Sequence, residues 1–366
     1  MSQTYLITGF PGFLARNLIK QLIHDHSNKI EHIYLLVLPT QEHQASKEIE
    51  MLSTSAGVEI DSFTIISGDI TLPELEMTKE WSQKLQNTVT HVFHLAAIYD
   101  LAVPEEIAYS VNVQGTNYVN NWVKNVKNLK RYIYFSTAYV SGTREGKIYE
   151  TDLKKRQTFR NHYERTKYEA EILVEALKDD VPTTIIRPGI VKGHSKTGET
   201  IKFDGLYFVL NMLDQLRFLP VIPYLGKNSA EGNFVPSDYV LRATSYLAIA
   251  EIGEGKTYHL TDPNPYTMNE IYQMLTEAYL GMTPKGALPL ALAKSALNIG
   301  VIRKWLQVER EAMDYFSIHS SYDASIAVND LAGTGITCPD LKDTIEPMIC
   351  FYKKYKDDSN KHIQIL

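Results

Sequence analysis

The stretch FRNHYERTKYEAEILVEAL places Tyr163 and Lys167 four residues apart, hence on one face of a helix. A lysine ammonium beside a phenol favours phenolate. That brings the tyrosine pKa toward the pH at which it must exchange a proton with a substrate. Any charged surface helix offers the same spacing, and Tyr168 with its charged neighbours fits that plainer reading. The preceding run RYIYFSTAYVSG ends in Ser136 and Thr137, hydroxyls at the carboxyl end of a strand, where open α/β sheets place ligand sites. A second constellation opens the chain. TYLITGFPGFLARNLIKQL sets Gly9 and Gly12 between an apolar run and an amphipathic one, a turn bare enough for a diphosphate to meet backbone N–H donors at a helix N-terminus. Ala15 stands at the third position, where close helix-strand packing usually selects Gly. An ordinary tight strand-helix turn is the alternative.

The elements that must position these residues follow from periodicity. Apolar runs at Tyr5–Thr8, Ile33–Leu38, Phe63–Ser67, His91–Leu95, Arg131–Ser136 and Thr183–Arg187 read as strands. Between them lie helical patterns such as Leu14, Leu18 and Leu22, or Val119, Trp122, Val123 and Val126. This alternation predicts an α/β fold, a doubly wound parallel sheet covered on both faces. After Pro188 comes a polar, glycine-spaced loop and then mainly helical sequence, with β-type pieces at Asn233–Val235 and Thr257–Leu260. Asp238 is expected to open the helix through Leu241 and Leu247, and Thr267 with Glu270 forms a capping-box pattern.

Composition narrows the function classes. Of the 366 residues, 44% are hydrophobic and 22% charged, as in ordinary globular chains. Lys+Arg 37 against Asp+Glu 43 gives −6 without a basic block, so nucleic acid is not an expected partner. Cys338 and Cys350 lack zinc spacing, so no metal is expected, and they read as reduced thiols of a cytoplasmic protein. Tyr5–Thr8 already reads as a strand, which leaves no room for a signal peptide. GALPLALAKSALNIGVI, residues 286–302, carries Lys294 and Asn298 and is short for an integral membrane segment; it is expected to be a buried or lid helix, with membrane-surface contact as the alternative.

The order of TGFPGFLA, SGDIT, HVFHLAA, NVQGT, FSTAYVSG, YERTK, IIRPGIV, FVPSDYV and KTYHLTD, spanning residues 4 to 262, resembles the extended short-chain dehydrogenase/reductase superfamily. STAYVSG, RPGIV and VPSDYV are most similar to its fatty acyl-CoA reductase and thioester reductase branch. The resemblance implies a Rossmann domain over 1–190, with 233–262 returning to it, and a smaller, mainly helical substrate-binding region over 191–232 and 263–366. It implies NADP or NAD as cofactor. Gly9, Phe10, Pro11, Gly12, Phe13 and Leu14 match the cofactor turn, Asp69 and Ile70 the adenine contact, and Ala96 and Ala97 the strand end by the cofactor. Pro188 matches the nicotinamide-side turn. Among catalytic roles, Thr137 matches the hydroxyl that binds the substrate carbonyl and Tyr163 the general acid. Lys167 matches the residue that holds the nicotinamide ribose and lowers the tyrosine pKa. Asn112 matches an asparagine often beside this group, with a helix N-cap as its equal alternative. Relatives commonly have Arg where Leu38 stands, so an NADP preference, which the likeness suggests, lacks its usual residue; Lys47 reads better as a solvated helix charge.

The expected reaction is NAD(P)H-dependent reduction of a carbonyl, with an acyl thioester as first substrate. Ketone or steroid-type alcohol dehydrogenase, sugar-nucleotide epimerase or dehydratase, and a non-catalytic dinucleotide sensor are the alternatives. An apolar substrate follows from a pocket expected over Gly193–Gly205, Leu206–Leu219 and Leu288–Met313. There Leu206, Phe208, Val209, Leu213, Leu216 and Phe218 are either pocket wall or core. The resemblance also implies a homodimer through helices around Ile107–Asn125 and Arg160–Leu177, with a solvent-facing pattern there as the alternative.

Overall fold

All six residues of Gln3–Thr8 are buried. A strand with no solvent face belongs inside a sheet covered on both sides. In the computed structural model, which describes residues 2–100, 103–226 and 229–363, this strand lies within a seven-stranded sheet. The strands are Gln3–Thr8 (β1), Ile30–Val37 (β2), Phe63–Ser67 (β3), His91–His94 (β4), Arg131–Phe135 (β5), Thr183–Pro188 (β6) and Thr257–Leu260 (β7), in the order β7-β6-β5-β4-β1-β2-β3. Pairing is parallel: Leu6 lies opposite Tyr34 and Val92, and Ile133 opposite Phe93 and Thr184. β7 joins β6 through Ile185 N–H to Lys256 O at 3.0 Å and Gly255 N–H to Thr183 O at 2.8 Å. The order reverses between β1 and β4, the switch point at which such sheets open a crevice beyond their carboxyl ends.

Parallel neighbours need crossovers, and helices supply them. They are Phe13–His26 (α1), Glu42–Ala56 (α2), Lys79–Thr88 (α3), a continuous helical run over 105–123 (α4) and His162–Glu175 (α5). The middle of α4, Tyr109–Gly115, is π-helical. On one face of the sheet Leu6, Tyr34, Val92, Tyr132 and Ile185 pack with Val119, Trp122, Ala170 and Val174. The Trp122 indole N–H is satisfied by Ser82 Oγ at 3.0 Å. Element ends differ from expectation by a residue or two. β2 stops at Val37 because Leu38, 39% exposed, starts the turn Pro39–Gln41, and β5 stops before Ser136.

The chain divides into two compact units. The first takes everything up to Gly142, with Thr151–Arg187 and Leu241–His259; the second takes Thr143–Glu150, Pro188–Val240 and the residues from Leu260 on. In the second unit Ile190–Lys192 pairs with Phe234–Pro236 in a small parallel piece of its own. The Thr267 capping box forms as the sequence predicts. Asp238 falls in the first turn of the helix Ser237–Ile249 and accepts hydrogen bonds from Ser195 N–H at 2.7 Å and Ser195 Oγ at 2.6 Å.

Two open readings of the second unit are narrowed. The helix Leu206–Leu216 is buried from Leu206 through Asp214, so Leu206, Phe208, Val209 and Leu213 are core, while Phe218 is 70% exposed. Residues 286–302 do not form a buried helix. Two short helices, Leu290–Leu297 and Gly300–Leu306, bury Leu297 but expose Leu292 and Val301, because a helix of two turns offers one narrow inward stripe. Among the described residues no helix is long and apolar enough to cross a membrane.

Burial also makes the first unit acid-sensitive. His91 and His94 are 3% and 1% exposed; burial brings both imidazoles down to about 3, with the charges of Arg131 and Lys130 adding at His91 and that of Lys167 at His94. Unfolding returns each to about 6.5, so below that pH the unfolded chain binds more protons. The contribution of these two rings is therefore full above pH ~6.5 and falls toward pH ~3, by about 1.4 kcal/mol per pH unit for each ring. Urea midpoints should drop steeply from pH ~6.5 to ~5. A flat profile there would mean that neither ring is held neutral.

Candidate active site

The turn after β1 is built around two glycines. Gly9 has φ +87°, and a Cβ there would lie 2.7 Å from Ala96 N and 2.8 Å from Leu95 C. A Cβ on Gly12 would lie 2.6 Å from Gly9 O, across the bond by which Gly12 N–H donates to that oxygen at 2.9 Å. Phe10 and Pro11 are buried beneath the turn, whereas Phe13 and Leu14 at the start of α1 are half-buried. Gly12 caps α1 without a side chain, and the first turn carries no acidic residue, leaving N–H donors and the positive end of the helix dipole for an anion. Ala15 is buried, as close packing of α1 requires.

The hydroxyl pair and the lysine lie at the end of β5. Asn161 caps α5 by accepting Glu164 N–H at 2.9 Å, so Tyr163 sits in the first helical turn. Its side chain is half-buried and hydrogen-bonded to that of Thr137; burial pushes the phenol up to about 12, with the Thr137 bond pulling the other way. Lys167, 3% exposed, donates to Phe135 O at 2.5 Å and Tyr134 Oη at 2.9 Å. Burial lowers its pKa to about 7, and the Glu171 charge opposes the fall. The expected lowering of the tyrosine pKa by Lys167 does not show here: burial raises the phenol, and the Lys167 amine is engaged by β5. Ser136 has its hydroxyl bound to the Glu171 carboxylate, which leaves Thr137 as the hydroxyl beside Tyr163.

Asn112 is not a helix N-cap; it lies inside the π-helical turn of α4. Its Oδ1 accepts Ile98 N–H at 2.9 Å, and its Nδ2 donates to Ile98 O and Thr166 Oγ1, each at 3.0 Å. It therefore ties the segment after β4 to the residue preceding Lys167. A second polar chain, which the sequence reading missed, joins the glycine turn to the same helix. Thr116 Oγ1 donates to Asn112 O at 2.6 Å, so it must accept from His94 Nε2 at 3.1 Å; His94 Nδ1 then accepts from Thr8 Oγ1 at 2.8 Å, and Thr8 accepts Ala96 N–H at 3.2 Å. The neutral Nε2–H tautomer follows. A polar residue following an apolar run at the carboxyl end of a strand, as Thr8 follows Tyr5–Ile7 and His94 follows Val92–Phe93, was the available signal.

The first unit thus sets Gly9 against Ala96, Thr137 against Tyr163, and Asn112 against Thr166, the residue before Lys167, with Ala97 half-buried. Asp69 Oδ1 accepts Thr71 N–H and Oγ1–H, each at 2.8 Å, after β3. Ile70 packs on α4, where a Cβ at Gly115 would meet its Cδ1 at 2.9 Å. Pro188 is the last residue of β6 and groups with the second unit. Among the described residues no cluster of three or more His, Cys, Asp or Glu could hold a metal.

Residues 7–244 match the protein family described as male sterility protein. A non-canonical nonribosomal peptide synthetase of Aspergillus campestris is 25% identical over 302 residues, 77% of this chain but 28% of its own length. The alcohol-forming fatty acyl-CoA reductase of Simmondsia chinensis is 24% identical over 353 residues, 75% of this chain and 70% of its own. Among solved structures, the terminal R domain of the myxalamid PKS-NRPS biosynthetic pathway superposes with TM-score 0.78 at 24% identity, covering 97% of this chain and 91% of that one. UDP-glucuronic acid 4-epimerase from Bacillus cereus, in complex with NAD, gives TM-score 0.65 at 21% identity, covering 98% and 99%.

The turn makes a direct prediction. Gly9→Ala forces a Cβ onto the backbone after β4 at a positive φ, and should destabilise the first unit by about 1–3 kcal/mol. It should also weaken nicotinamide dinucleotide binding at least ~10-fold, since N–H donors aligned on a diphosphate lose their register. Fluorescence titration and thermal melting measure both, and unchanged affinity would remove the turn from the binding site.

Proposed function

The chain belongs to the male sterility protein family, within the extended short-chain dehydrogenase/reductase superfamily, and we propose that it reduces an acyl thioester to an aldehyde or onward to the alcohol, using a nicotinamide dinucleotide. The observation that carries this reading is the Thr137–Tyr163 hydroxyl pair at the carboxyl end of β5, beside the buried Lys167. The reductase relatives support the substrate class.

The glycine turn fits the cofactor, because its bare backbone is where a Cβ would collide and its helix N-terminus lacks a competing carboxylate. Gly9 to Leu14 would hold the diphosphate, Asp69 and Ile70 the adenine side, and Ala96, Ala97, Lys167 and Pro188 the nicotinamide side. When bound, that group supplies the hydride. Thr137 and Tyr163 bind the substrate carbonyl oxygen through their hydroxyls, which fixes the face presented for reduction. Tyr163 then gives its proton to that oxygen as negative charge develops; the resulting hemithioacetal collapses by breaking its C–S bond, and the hydroxyl proton passes to the departing thiolate, leaving aldehyde and free thiol. Burial keeps the phenol protonated at neutral pH, the state from which it can donate. Lys167 would hold the nicotinamide ribose, and its charge would steady the oxyanion electrostatically.

With neither acid nor base at the end of β2, where Leu38 stands, both NADPH and NADH serve. We read the second unit as the substrate-binding part. Ile107 and Tyr109, 49% and 48% exposed on α4, support a homodimer through that helix.

Nicotinamide absorbance, followed with a medium-chain acyl-CoA and separately with the matching aldehyde, tests the reading. Oxidation of NADPH by the thioester is expected, with a loss of at least ~100-fold in Tyr163→Phe and cofactor binding retained. Normal turnover in that variant would sink the assignment. Reaction with the aldehyde alone would make the protein a carbonyl reductase.

A further inference from the structure

One helical turn beyond Lys167, Glu171 is fully buried, yet no step above uses it. Its Oε1 accepts Arg187 Nε–H at 2.9 Å and an Arg187 terminal N–H at 2.5 Å, and its Oε2 accepts the Ser136 hydroxyl. Arg187, 2% exposed on β6, also lies 3.2 Å from His259 Nε2 on β7. Glu171 therefore ties α5 to β5 directly and to β6 through Arg187. The β5 anchor is decisive. Ser136 lies between Phe135, whose carbonyl holds the Lys167 ammonium, and Thr137, whose hydroxyl meets Tyr163. A displacement of Ser136 moves both.

Resting on the reductase reading for its catalytic consequence, we propose that Glu171 is the positioning residue of this site. Through Ser136 it locks the Phe135 carbonyl and the Thr137 hydroxyl in register with Lys167 and Tyr163, and its negative charge favours the protonated lysine over the neutral one. A purely structural ion pair would need only Arg187. The Ser136 bond connects the pair to the reacting groups, and the direction in which Glu171 moves the lysine pKa agrees with it. The titratable and charged groups around Lys167 are Tyr134 on β5, neutral His94 on β4, and Tyr163 and Glu171 on α5, with Arg187 and His259 beyond Glu171. Glu171 is the anion among them.

The test compares Glu171→Gln and Ser136→Ala with Tyr163→Phe. Readouts are kcat and KM across pH, cofactor affinity, and the Lys167 titration followed by NMR in selectively labelled protein. Both variants should lose at least about tenfold in kcat, as expected for a sub-ångström to ångström misplacement, while binding cofactor within ~3-fold of the parent. In Glu171→Gln the Lys167 midpoint should fall by at least about one pH unit, and the alkaline limb of kcat should move down with it. Ser136→Ala leaves the ion pair intact, so it carries the kcat test if Glu171→Gln does not fold. Unchanged kcat and an unchanged Lys167 midpoint, with only a lower melting temperature, would overturn the proposal and leave Glu171 a brace. A shifted Lys167 midpoint in a protein whose Tyr163→Phe variant still turns over would uphold the Glu171 role and refute the catalytic reading instead.

Discussion

A lysine ammonium almost cut off from water sets the terms for the first unit. Removing such a charge from solvent costs several kcal/mol unless its donors are satisfied. Lys167 has three N–H donors; one goes to the Phe135 carbonyl and one to the Tyr134 hydroxyl, and the ammonium sits 4.4 Å from the Tyr134 ring centroid. Each contact constrains something else. Phe135 ends β5, which fixes where the chain turns into Thr137. Tyr134 also meets the side chain of Thr116, which pulls α4 toward the same strand. One cation thereby decides the relative placement of α4, α5 and β5.

The strands obey a complementary rule. Along β1 and β4 the apolar runs Tyr5–Ile7 and Val92–Phe93 end in a polar residue, Thr8 or His94, at the carboxyl edge. Because every pairing in the sheet is parallel, those last residues lie along one edge, and hydrogen bonds link them across β1, β4 and α4. Hydrophobic burial holds the sheet together below this edge. Directional bonds define the geometry above it.

This explains what could be read from sequence. The strands and the glycine turn were legible because each depends on local patterning: continuous apolar runs, and a turn whose φ +87° suits Gly. The spacing of Tyr163 and Lys167 was equally local, and so was the Thr267 capping box. What Lys167 touches was not legible, since Tyr134 and Phe135 lie some thirty residues away and periodicity says nothing of which hydroxyl meets which ammonium. Asn112 was ambiguous for a similar reason. A cap and a mid-helix cross-link use the same amide, and only the π-helical turn tells them apart. Leu206 to Leu213 could have been pocket or core, because an apolar helix face does not announce what covers it; Tyr352 and the helix Ile345–Tyr355, more than a hundred residues on, belong to the same cluster.

The edge strand β7 carries a practical consequence. It is made from residues 257–260, after the chain has already crossed the second unit over Pro188–Val240. Residue 244, where the family match ends, is consequently a poor place to cut. A fragment ending there would leave the N–H of Ile185 and the carbonyl of Thr183 facing solvent along a fully buried, Ile-rich strand, and would strip Arg187 of His259. Such a raw edge templates association with another copy. Fragments meant to contain the whole seven-stranded sheet therefore have to run through Leu260.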